Sequence, residues 1–191
     1  MASYDVAYEW LLDNEDNGRQ YKTVLDTKAV KKDTSGNPVK DPAGQLVYIQ
    51  TYAISGINSG TYPNDFSRIN AIRPEANRAA SVKAFYQKNF WSSNFALLTS
   101  DEVAKRVFDA GVNMGQVTAV KMLQFAINLL GNDITADGGL GPNTVAAANA
   151  CDPDKLVEQF KALREDHYRD IVKKNPLTQQ YLTGWLARAG K

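Results

Sequence analysis

The periodicity of this chain changes twice along its length, and those two changes restrict its architecture more than any other feature. Residues 3–17 carry Val6, Ala7, Trp10 and Leu11 at helical spacing behind Ser3, a suitable N-cap, which predicts a first helix ending near Asn17-Gly18. From Tyr21 to Ile57 the texture turns to β-branched and aromatic runs, at 22–27 and 46–52, on either side of a polar stretch holding Ser35-Gly36-Asn37-Pro38 and Asp41-Pro42-Ala43-Gly44. That pattern predicts a small antiparallel sheet with a long tip, followed by a loop over 58–63. After about residue 75 every segment reads as helix. There is one over 78–91, one opened by the capping-box pattern Thr99-Ser100-Asp101-Glu102, and one over 118–130 that stops at Gly131. A short Ala-rich helix starts at Gly141-Pro142, and a long one runs from Asp152-Pro153 to Asn175-Pro176. A last helix carries Leu182, Trp185 and Leu186. The expected fold class is α+β, mainly α, with one compact body and no internal repeat.

Charge and cysteine content narrow the function classes. Lys and Arg number 22 against 21 Asp and Glu, a formal net charge of +1, so the chain has no broad attraction for nucleic acid or anionic lipid. No window approaches the ~18 apolar residues of a membrane-spanning helix, and membrane insertion is not expected. Cys151 is the only cysteine, which excludes an internal disulfide and a cysteine-based metal cluster. His167 is the only histidine and lies mid-helix between Asp166 and Tyr168; one histidine does not make a typical zinc site, so neither a metal nor an organic cofactor is expected. Met1-Ala2-Ser3-Tyr4-Asp5 has neither a basic stretch nor an apolar run. Cytoplasmic synthesis without a signal peptide is therefore expected, with any substrate outside the cytoplasm reached through holin-type release, lysis or dedicated secretion.

An acid-bearing helix that feeds directly into a small sheet, with helices behind it, is a layout that sets a carboxyl at the edge of a cleft. Glycan cleavage needs such a cleft, a carboxylic acid in a poorly solvated setting, and usually a second carboxylate to handle water or the positive charge on the sugar. Glu9, Glu15 and Asp16 all lie on or near the first helix, and by spacing alone each is equally a solvated surface group. Glu15 falls in the last turn, where the helix dipole disfavours a negative charge.

The segment 11–18, Leu-Leu-Asp-Asn-Glu-Asp-Asn-Gly, followed by Asp41-Pro42-Ala43-Gly44 and Thr51-Tyr52-Ala53-Ile54-Ser55, resembles the N-terminal signature of family 108 glycoside hydrolases. In that family a Glu-Gly-Gly-Tyr motif supplies the catalytic glutamate and is followed by Asp-Pro-Gly-Gly and Thr-x-x-Gly-Ile-Ser segments; Glu15 is the matching glutamate. Here Asp16-Asn17 stand where the family has glycines, Ala43 and Ala53 replace two more, and the intervening hairpin is longer. The helical half resembles the family in residues 85–91, in Phe108-Asp109-Ala110-Gly111-Val112-Asn113-Met114-Gly115, in Leu123-Gln124, and in residues 137–144, which are similar to its C-terminal peptidoglycan-binding segment.

The resemblance implies a lysozyme-like fold, with residues 1–95 as the catalytic region and 96–191 as a helical peptidoglycan-binding-like region packed with it. It implies an N-acetylmuramidase acting on peptidoglycan glycan strands, in the manner of an endolysin, and a monomer is expected. Glu15 would be the acid, with Asp26 or Asp41 as the second carboxylate. Asp41 fits the family's Asp-Pro segment but sits at a turn, whereas Asp26 is held on a predicted strand. Thr51, on the facing strand, is placed to orient a water, and Tyr52 beside it is a candidate sugar contact. Asn113 either faces the sugar or, with Asp109 one turn away, makes a helix-to-helix hydrogen bond. Residues 137–144 either bind ligand or only shape the fold, and Trp91 and Trp185 are read as packing groups. Two rival functions are a non-catalytic peptidoglycan-binding protein and a stem-peptide amidase or peptidase. The second lacks the Cys/His or metal-ligand set such chemistry uses.

Overall fold

The computed structural model describes residues 1–191, with the side chains of all but residues 27–29. Helix α1 (Tyr4–Glu15) leads into strands β1 (Thr23–Val30), β2 (Tyr48–Ile54) and β3 (Ile57–Asn58). Helices α2 (Pro63–Asn70), α3 (Ala79–Phe90), α4 (Asp101–Met114), α5 (Gln116–Leu129), α6 (Pro142–Ala150), α7 (Pro153–Lys174) and α8 (Leu182–Gly190) follow. The class is α+β and mainly helical, as the pattern predicts. Two compact units can be drawn: Glu15–Tyr86, and Met1–Asn14 together with Gln87–Lys191.

In the unit Glu15–Tyr86 the sheet is antiparallel in the order β1-β2-β3. Thr23 pairs with Ile54 and Asp26 with Thr51, and the register becomes irregular after Asp26; Ala53 pairs with Asn58 and Ile54 with Ile57. The β2–β3 connection is only Ser55-Gly56, and both have positive φ, 46° and 80°. This is the two-residue turn whose twist suits a tight hairpin. In the long β1–β2 tip, Asp33 accepts from the amides of Ser35 and Asn37, and Asp41 from those of Ala43 and Gln45, so each aspartate builds its own turn.

Helix α2 occupies the stretch just after the predicted loop. Pro63 opens it and Phe66 and Ile69 are its buried face. With one apolar pair in eight residues it carries too little periodicity to stand out in sequence. Arg78, fully buried, fastens this unit together. Its guanidinium donates to the carbonyls of Tyr21 and Asn70, to Thr23 Oγ1 and to Glu75 Oε1.

In the other unit the core is built from α1, α4, α5 and α7 through residues such as Leu11, Leu12, Phe108, Leu123, Ile127, Leu156 and Phe160. Each such burial is worth roughly 1.5–3 kcal/mol relative to exposure. Trp91 stacks on Phe95 at 4.9 Å and meets Phe108 edge-on, and Trp185 stacks on Tyr168 at 5.3 Å, so both tryptophans pack against aromatic neighbours. The N-cap of α4 is Ser100, whose hydroxyl accepts from the Val103 amide, rather than Thr99 as the capping-box pattern implies. Thr99 instead directs both its amide and its hydroxyl to Asn149 Oδ1.

The same unit holds a buried ionic knot. Asp109 on α4, fully buried, accepts from Arg164 Nη2 on α7 at 2.7 Å and from Arg188 Nη2 on α8 at 2.7 Å, with Asn14 Nδ2 of α1 at 3.2 Å. Arg164 Nε in turn donates to Tyr168 Oη, and Tyr168 donates to Asn113 Oδ1 at 2.6 Å. Gln124, also buried, spreads its amide over Asp137, Gly139, Thr144 and the Gly138 amide, and so shapes the 137–144 loop.

Candidate active site

Glu15 is the last residue of α1 and is half-buried. Its carboxylate lies against the β2–β3 turn. A methyl group placed on Gly56 would overlap Glu15 Oε2, come within 3.0 Å of Glu15 Cδ and lie 2.7 Å from Tyr86 Oη. The turn is fixed from both sides. Ser55 Oγ donates to Asp16 Oδ2 at 2.7 Å, and Tyr86 Oη donates to the Ser55 carbonyl at 2.6 Å. Asp16 also accepts from the amides of Gln20 and Tyr21, which orders a loop in which Arg19 and Tyr21 adopt positive φ. The residue that departs from the family's glycine is thus the one that organises the chain leaving α1.

Asp26 and Thr51 face each other across β1 and β2 and share a pocket of about 340 Å³ with Asn58, Gly60, Thr61, Val30, Lys32 and Ile49. Asn58 joins them: its Nδ2 donates to Asp26 Oδ2 and to Thr51 Oγ1, both at 2.8 Å, and its Oδ1 accepts from the amides of Gly60 and Thr61. An amide locked by four such bonds fixes both oxygen-bearing side chains at once. Thr51 lies three residues from Ile54 along β2, so this group sits about 10 Å up the strand from the turn that backs Glu15.

The remaining candidates fall elsewhere. Asp41 is taken up by its own turn at the hairpin tip. Tyr52, 47% exposed, alternates with Thr51 and projects from the opposite face of the sheet to Asp26 and Asn58. The Asn113 carbonyl oxygen is engaged by Tyr168, the helix-to-helix bond. Sequence reasoning missed Asn58, Ser55, Gly56 and Tyr86. Ser55-Gly56 carried a usable signal, since a two-residue turn ending in glycine between apolar residues marks a tight hairpin. Among the described residues, no three His, Cys, Asp or Glu side chains are grouped as metal ligands.

An acid-tipped first helix followed along the chain by a small antiparallel sheet and then by helices makes a lysozyme-like fold. Residues 31–115 match the family model described as Glycosyl hydrolase 108, and residues 118–190 the one described as Predicted Peptidoglycan domain. Residues 31–115 are thus similar to family 108 glycoside hydrolases and residues 118–190 to a peptidoglycan domain, two matches that support a glycoside hydrolase acting on peptidoglycan. The first match begins inside the β1–β2 hairpin, after Glu15 and Asp26. Among solved structures the chain is similar to SagA of Brucella abortus, at 18% identity and a TM-score of 0.58, over 98% of this chain and 89% of that one. That likeness concerns the fold. A comparison with curated proteins returned no match.

Proposed function

We propose that this chain cleaves the β-1,4 bond between N-acetylmuramic acid and N-acetylglucosamine with Glu15 as general acid and Asp26 as the second carboxylate. Glu15 protonates the leaving glycosidic oxygen. Asp26, held with Thr51 by Asn58, activates water or stabilises the oxocarbenium-like transition state, and Thr51 orients the water. The observation that carries this reading is the Asp26–Asn58–Thr51 group, which lines a concave pocket in the same unit as Glu15. Asp41 has no such setting, because its carboxylate is spent on a surface turn.

Mass spectrometry of peptidoglycan digests tests the reaction. Products ending in reducing N-acetylmuramic acid are expected. Products ending in reducing N-acetylglucosamine, or stem peptides freed from the glycan, would refute it.

A further inference from the structure

Two consecutive residues at the end of α1 meet two consecutive residues of the β2–β3 turn: Asp16 is bonded by Ser55, and Glu15 is in contact with Gly56. We propose that Asp16, Ser55 and Tyr86 are positioning residues that hold the Ser55-Gly56 turn against Glu15 and so fix the carboxyl for proton delivery. The inference rests on Glu15 being the acid.

Ser55 adopts φ 46°, a left-handed conformation that costs a residue with a side chain about 1–2 kcal/mol. It is buried and tied at two atoms, its hydroxyl to the Asp16 carboxylate and its carbonyl to the Tyr86 hydroxyl. Hydrogen bonds of this kind, one of them to a charged acceptor, are of the size needed to offset that cost. With Ser55 held, the next residue is carried in against Glu15. Only glycine fits there, since a side chain would run into both the Glu15 carboxyl and the Tyr86 oxygen.

Tyr86 is buried on α3, and its one proton is committed to the Ser55 carbonyl, so the remaining face of its oxygen offers only lone pairs. Glu15 Oε2 and Tyr86 Oη converge on the same side of Gly56. The seat of the acid therefore includes the Gly56 backbone and the Tyr86 phenol oxygen, both set by residues that need not touch the sugar.

The test uses the full chain, with kcat and KM measured on soluble, uncrosslinked peptidoglycan strands for Tyr86→Phe, Asp16→Ala, Asp16→Asn and Glu15→Gln. Displacement of a reacting group by about 1 Å costs up to ~10²-fold. Tyr86→Phe and Asp16→Ala should therefore lower kcat by about 10- to 100-fold with KM held within about twofold. Asp16→Asn keeps an acceptor oxygen for Ser55 and should recover most of the loss. If Tyr86→Phe does not fold, the pair at Asp16 decides. Wild-type kcat in folded Asp16→Ala, or a loss confined to KM, overturns the positioning role, as does an Asp16→Asn no better than Asp16→Ala. An active Glu15→Gln instead removes the acid assignment itself, so the two failures are told apart.

Discussion

Asn58 Nδ2 donates to Asp26 Oδ2 at 2.8 Å and to Thr51 Oγ1 at the same distance, so a single amide sets the spacing between the carboxylate proposed as the second catalytic group and the hydroxyl proposed to orient water. Replacing Asn58 with Ala removes that link and the support its Oδ1 gives to the 60–61 turn. Asn58→Ala should lower the rate of reducing-end release by about 10- to 100-fold, with a folded far-UV circular dichroism spectrum. Asn58→Asp keeps the turn acceptor but sets a second carboxylate beside Asp26, and like charges so placed repel. It should be no better than Asn58→Ala.

The choice between the two aspartates follows from their partners. Asp41 accepts two backbone amides on a single oxygen, Oδ1, in an exposed turn, and an asparagine keeps that acceptor. Asp41→Asn should therefore retain activity within about twofold and shift only the melting temperature slightly, whereas Asp26→Asn should be nearly inactive. Dead, folded Asp41→Asn beside active Asp26→Asn would reverse the assignment.

Gly56 is at φ 80°, with the Glu15 and Tyr86 oxygens occupying the space a Cβ would need. Gly56→Ala combines left-handed strain of about 1–2 kcal/mol with a direct overlap. Urea denaturation should show a loss of at least that size, and turbidity clearance of cell walls should fall with it. The same substitution at Gly36, also at positive φ but with open space around it, carries the strain alone and should leave clearance intact.

Asp109, fully buried, pairs with the buried Arg164 and with Arg188, which is 14% exposed. Removing one partner of a buried pair typically costs about 3–5 kcal/mol, because the other charge stays buried. Asp109→Ala should lower the urea midpoint accordingly. It also removes the acceptor for Nδ2 of Asn14, the residue before Glu15, leaving Asn14 its bond from Lys191, so activity should fall even below the new unfolding midpoint.

His167 on α7 is held below the usual histidine range, chiefly by burial and also by Lys174, against an opposing pull from Asp170. The unfolded chain then binds the extra proton more readily than the folded one. The neutral histidine's contribution is fully present above the unfolded value near 6.5 and is lost as pH falls toward the lower folded value. The melting temperature of the native chain should drop more between pH 7 and pH 5 than that of His167→Gln; parallel curves would contradict this.

Most of the helical fold was legible because its boundaries are written in local chemistry: Pro142 and Pro153 open helices, Gly131 closes one, and Asp152 caps α7 with its own carboxylate. The hairpin was legible from its β-branched runs. The site was only partly so. Glu15 stood out only through the family resemblance and Asp26 through its strand, while the residues packed against each are separated from them by tens of positions and act through pairing register. Asn58 reaches Asp26 only because β3 returns beside β2, and Tyr86 reaches Ser55 only because α3 packs under the turn. Tyr52 shows the limit of adjacency: a neighbour of Thr51 in sequence, it faces the other way in a strand.

The most direct measurement is the rate at which Glu15→Gln releases reducing ends from purified peptidoglycan, with thermal unfolding recorded on the same sample. The amide nearly keeps the shape of the carboxyl but delivers no proton, and general acid catalysis contributes about 10²–10⁴-fold. A folded Glu15→Gln should lose activity by at least the lower of those factors. A folded variant with near-native rates would contradict the account, since no other residue has been given the role of acid.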